Sequence, residues 1–141
     1  MARIFWDTNL FIYLFEQKAP FLAKVEALRR RMLERGDQLF TSTLTIGEIL
    51  TMPVGMKDRV MEQQYLHFFR GGGVNILSFD IPAAVAFAHV RQDRSIRPPD
   101  AIQLACAAAG KINLFITNDE RLSNMNVPGI DFITGLNRAP I

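Results

Sequence analysis

Four acidic residues are expected at the carboxyl edge of a predicted parallel sheet. Asp7 directly follows an apolar run, and Asp119 follows another, in Ile116-Thr117-Asn118-Asp119. Glu48 lies early in a predicted helix after a second strand, and Asp100 lies in the first turn of the helix that leads to the Asp119 strand. Because ligands of open α/β sheets bind beyond the carboxyl ends of the strands, we expect these four side chains to converge.

The chemistry of four converging carboxylates is that of a cation site. Like charges in one cleft raise one another's pKa values unless protons or cations neutralise them. Oxygen ligands favour Mg²⁺ or Mn²⁺, and the sequence contains no Cys/His set with zinc spacing. A divalent ion held by carboxylates activates water and binds phosphoryl oxygens, so the pattern indicates phosphodiester or phosphoryl hydrolysis.

Each acid also has a structural interpretation. Asp7 could cap the first helix, and Asp119 could be a turn or cap residue. Glu48 could close a capping box with Thr45, and Asp100 could complement a helix dipole. These alternatives stay open for each residue alone, but two Asp residues directly after apolar strands, with two more acids at the same edge, favour a shared site.

The elements that must position these acids alternate between strands and helices. Strands are predicted at Arg3–Trp6, Gln38–Ser42, Val74–Phe79, Ile112–Thr117 and Ile130–Thr134. Helices are predicted at Leu10–Glu16, Pro20–Arg35, from about Thr45 to just before Pro53, and at Lys57–Arg70, Pro82–Val90 and Pro99–Ala109. The alternation predicts an α/β fold, a parallel sheet with helices on both faces.

Length and composition limit the remaining possibilities. A chain of 141 residues predicts a single domain over 1–141, and a hydrophobic content of 49% excludes global disorder. The sequence contains no stretch of about 18 apolar residues, so no membrane span is predicted. We expect a cytoplasmic protein. The net charge of +2 is too small for nucleic-acid binding by bulk charge. Without the four acids, however, 16 basic residues face 10 acidic ones, a balance of +6.

At these residues the sequence resembles PIN-domain ribonucleases, and most of all the VapC-type toxins of prokaryotic toxin–antitoxin pairs. The matching segments are Ile4–Asn9, Thr43–Ile49, Arg97–Ala105 and Phe115–Asp119. Each motif alone is weak, but four in the right order and with compatible spacing are specific, and the resemblance spans essentially the whole chain.

The resemblance implies a five-stranded parallel sheet and Mg²⁺- or Mn²⁺-dependent endonucleolytic cleavage of RNA with one or two ions. The catalytic, metal-binding acids would be Asp7, Glu48, Asp100 and Asp119. Thr8, Asn9, Thr117 and Asn118 would lie beside them, and Thr8 and Thr117 would support the site through hydrogen bonds. The resemblance also implies a small antitoxin partner and a homodimer.

Two surfaces could contact these partners. Arg91, Arg94 and Arg97 precede Asp100 and could bind RNA phosphates, although a solvated loop is an equal alternative. A second set of residues, at helical spacing, could form a dimer or antitoxin surface, although core packing is favoured. This set comprises Met52, Met56, Met61, Phe68 and Phe69.

Two other functions remain open from the sequence. One is a PIN-domain nuclease that acts in RNA processing without an antitoxin. The other is a non-catalytic α/β interaction module whose acids hold a structural metal ion.

Overall fold

The computed structural model describes all 141 residues, and a five-stranded parallel sheet lies at its centre. The strands are β1 (Arg3–Trp6), β2 (Gln38–Ser42), β3 (Asn75–Leu77), β4 (Leu114–Thr117) and β5 (Phe132–Gly135). Their order is β3-β2-β1-β4-β5, and every neighbouring pair is parallel. The chain therefore builds outward from β1 in one direction and then in the other, which places the topological switch point between β1 and β4.

Six α-helices cover the two faces of this sheet. They are α1 (Thr8–Phe15), α2 (Phe21–Arg35), α3 (Thr43–Gly55), α4 (Arg59–Arg70), α5 (Ile81–Val90) and α6 (Pro98–Ala109). A short 3₁₀ turn, Leu136–Arg138, follows β5. None of the helices combines the length and the apolar character that crossing a membrane requires.

Alternate residues of the strands fill two separate cores, as the two-residue period of a strand requires. On one face, Trp6 packs with Phe11 of α1 and with residues of α2, α3 and α4. On the other face, Phe5 and Phe115 stack with ring centroids 4.9 Å apart, beneath α5 and α6. The predicted α/β class, with a parallel sheet between two helical layers, is confirmed.

Several element boundaries differ from the prediction, most of them by one or two residues. Helix α1 begins at Thr8 rather than Leu10, because the Asp7 side chain caps it by accepting a hydrogen bond from the Thr8 backbone N–H. Strand β3 has three residues rather than the six of Val74–Phe79. Its partner β2 ends at Ser42, opposite Leu77, so the residues beyond Leu77 have no strand to pair with.

The predicted bounds of α3 were wrong at both ends. The helix begins at Thr43, and Ser42 is its N-cap, with the Ser42 hydroxyl accepting from the Thr45 N–H. It then continues through Pro53 to Gly55. Proline interrupts a helix by removing one N–H donor and crowding the preceding turn. Here it falls in the last turn, where little helix remains to be disrupted.

Candidate active site

The four acids line one cleft at the carboxyl edge of the sheet. The cleft has a volume of about 430 Å³, and its walls include Asp7, Glu48, Asp100 and Asp119. Strands β1 and β4 are neighbours, and the Asp7 N–H donates to the Ile116 carbonyl at 3.0 Å. The strand that precedes Asp7 thus lies beside the strand that precedes Asp119. Helices α3 and α6 then bring Glu48 and Asp100 to the same edge.

Asp7 is a buried carboxylate with no cationic partner. Only 7% of the residue is exposed, and its two oxygens accept hydrogen bonds from the Thr8 N–H and the Thr117 hydroxyl, each at 2.8 Å. Burial raises the pKa of Asp7 to about 6. The two hydrogen bonds oppose this shift, while the nearby charges of Asp100 and Glu48 add to it. A carboxylate in this setting is stabilised by a cation.

Glu48 is held by a buried network of hydroxyl and amide groups. The Thr8 hydroxyl donates to Glu48 Oε1 at 2.6 Å. Behind Thr8 lies Gln103 of α6, which is 2% exposed. Its Nε2 donates to the hydroxyls of Thr8 at 3.0 Å and Thr45 at 2.7 Å, and its Oε1 accepts from the Ser42 hydroxyl.

The hydrogen bonds of this network can run in only one direction. A carboxylate only accepts, so the single hydroxyl hydrogen of Thr8 is committed to Glu48. Thr8 must then accept from Gln103, which requires that the amide nitrogen of Gln103 faces Thr8 and that its oxygen faces Ser42. The Gln103 nitrogen donates to Thr8 and cannot accept, so this contact supports donation from the Thr8 hydroxyl to Glu48.

The other two acids face arginine. Arg121 makes a bidentate contact with Asp119, with Nε 2.9 Å from Oδ1 and Nη2 bonded to Oδ2. The same Nη2 lies 3.8 Å from Oδ2 of Asp100, and Nε of Arg97 lies 3.4 Å from that oxygen. The hydrogen bond from Arg121 is the main reason that the pKa of Asp119 lies below its usual value.

The cleft therefore has two halves of different character. Asp7 and Glu48 accept from hydroxyl and backbone groups, whereas Asp100 and Asp119 pair with guanidinium groups.

In this arrangement no three acids surround a single point closely enough to hold an ion. The donor set itself fits a hard divalent cation, because all four side chains are carboxylates and Asp7 is buried beside like charge without a counter-ion. Arg121 contacts both oxygens of Asp119, so an ion that binds Asp119 competes with Arg121.

Of the supporting residues predicted from sequence, Thr8, Asn9 and Thr117 lie beside the acids, and the Asn118 side chain turns elsewhere. Asn9 lines the cleft. Thr117 donates to Asp7 and accepts from the Asp119 N–H at 3.0 Å, so one hydroxyl links two of the acids. Asn118 turns to the Tyr13 hydroxyl, to which it donates at 2.9 Å.

The three arginines before Asp100 have separate positions. Arg97 lines the cleft. Arg91 donates to the Ile96 carbonyl and so closes its own loop, and Arg94 is exposed. The structure thus brings one of the three to the acids.

The sequence interpretation did not identify Gln103 and Arg121. Gln103 had a usable signal, since it is the only polar residue between Asp100 and the end of α6, and it lies three positions after Asp100 on the same helix face. For Arg121 the only signal in the sequence was its position two residues after Asp119.

The Met and Phe set divides between the core and the surface. Phe69 is buried, whereas Phe68, Met52 and Met56 keep 38%, 39% and 65% of their surface exposed. Between α1, α3 and α4 a small cavity of about 110 Å³ borders Glu48. Its apolar walls include Met52 together with Phe15 and Tyr65, whose rings stack at 4.7 Å. An apolar surface therefore continues from the acidic cleft.

Residues 4–128 match the family model of the PIN domain. The chain belongs to the PIN-domain family. PIN domains are nucleases that hydrolyse phosphodiester bonds, and they generally use divalent metal ions. Comparison with curated proteins gave no match.

Several solved structures, a toxin–antitoxin complex among them, contain chains of the same fold. For VapBC2 from Rickettsia felis bound to promoter DNA, the TM-score is 0.69 at 15% identity, over 94% of this chain and 97% of that chain. For a toxin–antitoxin complex from Klebsiella pneumoniae, the TM-score is 0.63 at 24% identity, over 90% of this chain and 94% of that chain. For FitAcB from Neisseria gonorrhoeae, the TM-score is 0.68 at 18% identity, over 96% of this chain and 99% of that chain. At these identities the likeness concerns the fold.

Proposed function

We propose that this PIN domain is a Mg²⁺- or Mn²⁺-dependent endoribonuclease and that the acidic cleft is its active site. The observation that carries the proposal is the state of Asp7, a buried carboxylate without a counter-ion that shares a cleft with three further acids. The cleft lies at the switch point of the sheet, where α/β proteins bind their ligands. The nuclease unit comprises residues 1–141, because β5 extends the sheet beyond the matched segment.

Asp7, Glu48 and Asp100 would hold the first ion, and Asp119 would serve a second ion or orient the attacking water. When bound, a divalent ion supplies Lewis acidity that activates water and stabilises charge on phosphoryl oxygens. The reaction adds water across a P–O3′ bond of RNA: the hydroxyl goes to phosphorus and the proton to O3′. The products are a 5′-phosphate and a 3′-hydroxyl.

The chain's own residues prepare this chemistry. Thr117 and the Thr8 N–H orient the two oxygens of Asp7. Thr8 holds one oxygen of Glu48, and the other oxygen has no hydrogen-bond partner in the protein. Arg97 lies at the rim with an exposed guanidinium, whose planar fork suits an RNA phosphate.

The biological role that we propose is that of the toxin in a type II toxin–antitoxin pair, acting on cytoplasmic RNA as a homodimer. Support comes from the VapC-like motifs and from the likeness of the fold to chains in toxin–antitoxin complexes. The exposed apolar surface beside Glu48 offers a small antitoxin a place to bind and to cover the cleft.

Expression of the chain in a bacterial host tests this role. The wild type should arrest growth and leave cellular RNAs with new 5′-phosphate ends, and Asp7→Asn should do neither at an equal protein level. Coexpression of the small protein encoded next to the gene should restore growth. RNA cleavage without rescue by any adjacent gene product would favour an RNA-processing nuclease. Unchanged RNA in both strains would contradict the nuclease proposal.

A further inference from the structure

Arg121 is a cation of the chain itself that contacts two acids of the cleft, Asp119 and Asp100. Its Nε and Nη2 contact both carboxylate oxygens of Asp119, and its backbone N–H also donates to Oδ1 of Asp119 at 3.0 Å. Its Nη2 reaches toward Asp100, at 3.8 Å. While Arg121 stays in this position, Asp119 has no oxygen without a positively charged partner.

The side chain of Arg121 is nevertheless free to leave. It is 58% exposed, and its polar contacts are with the carboxylates of Asp119 and Asp100 alone. Exposed ion pairs contribute little net stability, because each partner exchanges its contact for water. A divalent ion that binds Asp100 and Asp119 brings twice the charge of a guanidinium, so it can displace Arg121.

A displaced Arg121 would remain at the rim of the cleft. The backbone N–H of Arg121 is bonded to Asp119, so the residue stays anchored beside the acids when its side chain swings out. Arg97, which contacts the same oxygen of Asp100, is also exposed. Guanidinium groups bind phosphate oxygens in a bidentate manner and remain charged at all relevant pH values.

We propose that Arg121 is a substrate-binding residue coupled to the metal: it is the counter-cation of Asp119 in the metal-free protein and a ligand of an RNA phosphate in the metal-loaded protein. This inference rests on the proposed nuclease function. It has two consequences of opposite sign. Arg121 weakens the binding of the divalent ion, because the two compete for the same carboxylate, and it strengthens the binding of RNA.

The test is the substitution Arg121→Gln, which removes the charge and keeps a polar side chain. Titration calorimetry of the purified protein with Mn²⁺, without RNA, should show at least about fivefold tighter binding than in the wild type. Fluorescence anisotropy with a labelled oligoribonucleotide in Ca²⁺ at fixed ionic strength should show binding weakened by about fivefold or more. Arg121→Lys, which keeps the charge, should bind Mn²⁺ as weakly as the wild type.

Arg31→Gln is the matched control, since Arg31 is an equally exposed arginine that pairs with Glu34 at 3.5 Å on α2. It should leave both affinities unchanged. A residue that merely orders the cleft would, when removed, weaken Mn²⁺ binding. Unchanged or weaker Mn²⁺ binding by Arg121→Gln, or unchanged RNA binding, therefore overturns the inference while wild-type RNA cleavage still supports the nuclease. Wild-type protein that binds Mn²⁺ but cleaves no RNA overturns the nuclease proposal instead.

Discussion

The environment of the Asp7 carboxylate is the strongest indication of cation binding in this cleft. Asp7 caps α1, so the structural interpretation of this residue is correct. It is also desolvated beside Asp100 and Glu48, which a cap alone does not require. A cap stabilises its helix, whereas burial beside like charges destabilises an ionised carboxylate. This cost supports the proposal that Asp7 binds a cation.

This cost predicts a pH dependence of stability. The pKa of Asp7 is raised from 3.8 to about 6, so between these values the folded protein binds more protons at this site than the unfolded chain. The contribution of Asp7 to the free energy of unfolding should therefore fall as pH rises from about 4 to about 6 and stay constant above that. The two-unit shift corresponds to at most about 3 kcal/mol.

Asp7→Asn removes this titration and keeps a residue that can cap the helix. In metal-free buffer at pH 7 it should be more stable than the wild type, and its stability should fall less between pH 4 and pH 6. Urea denaturation at several pH values measures both effects. Glu26→Gln, at an exposed position on α2, should follow the wild type. Parallel profiles for wild type and Asp7→Asn would show that Asp7 titrates normally.

Helix α6 connects the elements of the site through Gln103. This residue joins α6 to Thr8 of α1 and Thr45 of α3, while Asp100 extends into the cleft from the first turn of the same helix. The three helices that carry Glu48, Asp100 and the Asp7 cap are thus tied to one another directly below the acids.

Replacing Gln103 tests this role. Gln103→Leu keeps the volume but leaves buried hydroxyls without a partner, so it should lower the free energy of unfolding by about 1–3 kcal/mol. It should also weaken Mn²⁺ binding, because Thr8 loses the contact that supports its donation to Glu48. Gln103→Glu should weaken Mn²⁺ binding further, since a carboxylate competes with Glu48 for the Thr8 hydrogen.

Denaturant unfolding and calorimetry measure these two effects. Gln92→Leu is the control, because Gln92 is exposed and makes a single hydrogen bond to the Ala88 carbonyl. If Gln103→Leu loses stability but binds Mn²⁺ like the wild type, the network supports the fold and does not position Glu48.

The strands and helices show which features the sequence predicts and which depend on contacts in the folded chain. The strand-end positions of Asp7 and Asp119 follow from apolar runs and parallel topology, and the structure places both at one cleft. The length of β3 depends on where β2 ends, and the passage of α3 through Pro53 depends on how near that residue lies to the end of the helix. The contacts of Gln103 and Arg121 join residues that only the folded chain brings together.

The whole molecule separates its charges in space. The net charge is +2, yet four of its 14 acids lie in one cleft, which leaves 10 acids against 16 basic residues elsewhere. An acidic cleft with arginines at its rim can bind a divalent cation and a polyanion side by side. The small net charge is therefore compatible with an RNA substrate, because the local distribution and not the total determines binding.

Metal-dependent cleavage of RNA by the purified protein tests the central claim most directly. With a labelled RNA and Mn²⁺ or Mg²⁺, the wild type should give products with 5′-phosphate ends, and EDTA should abolish cleavage. Asp7→Asn should lose at least about a hundredfold in rate, in line with the loss of an electrostatic group from an active site, and Glu26→Gln should cleave normally. Cleavage that persists in EDTA, or an Asp7→Asn variant as active as the wild type, would contradict the account.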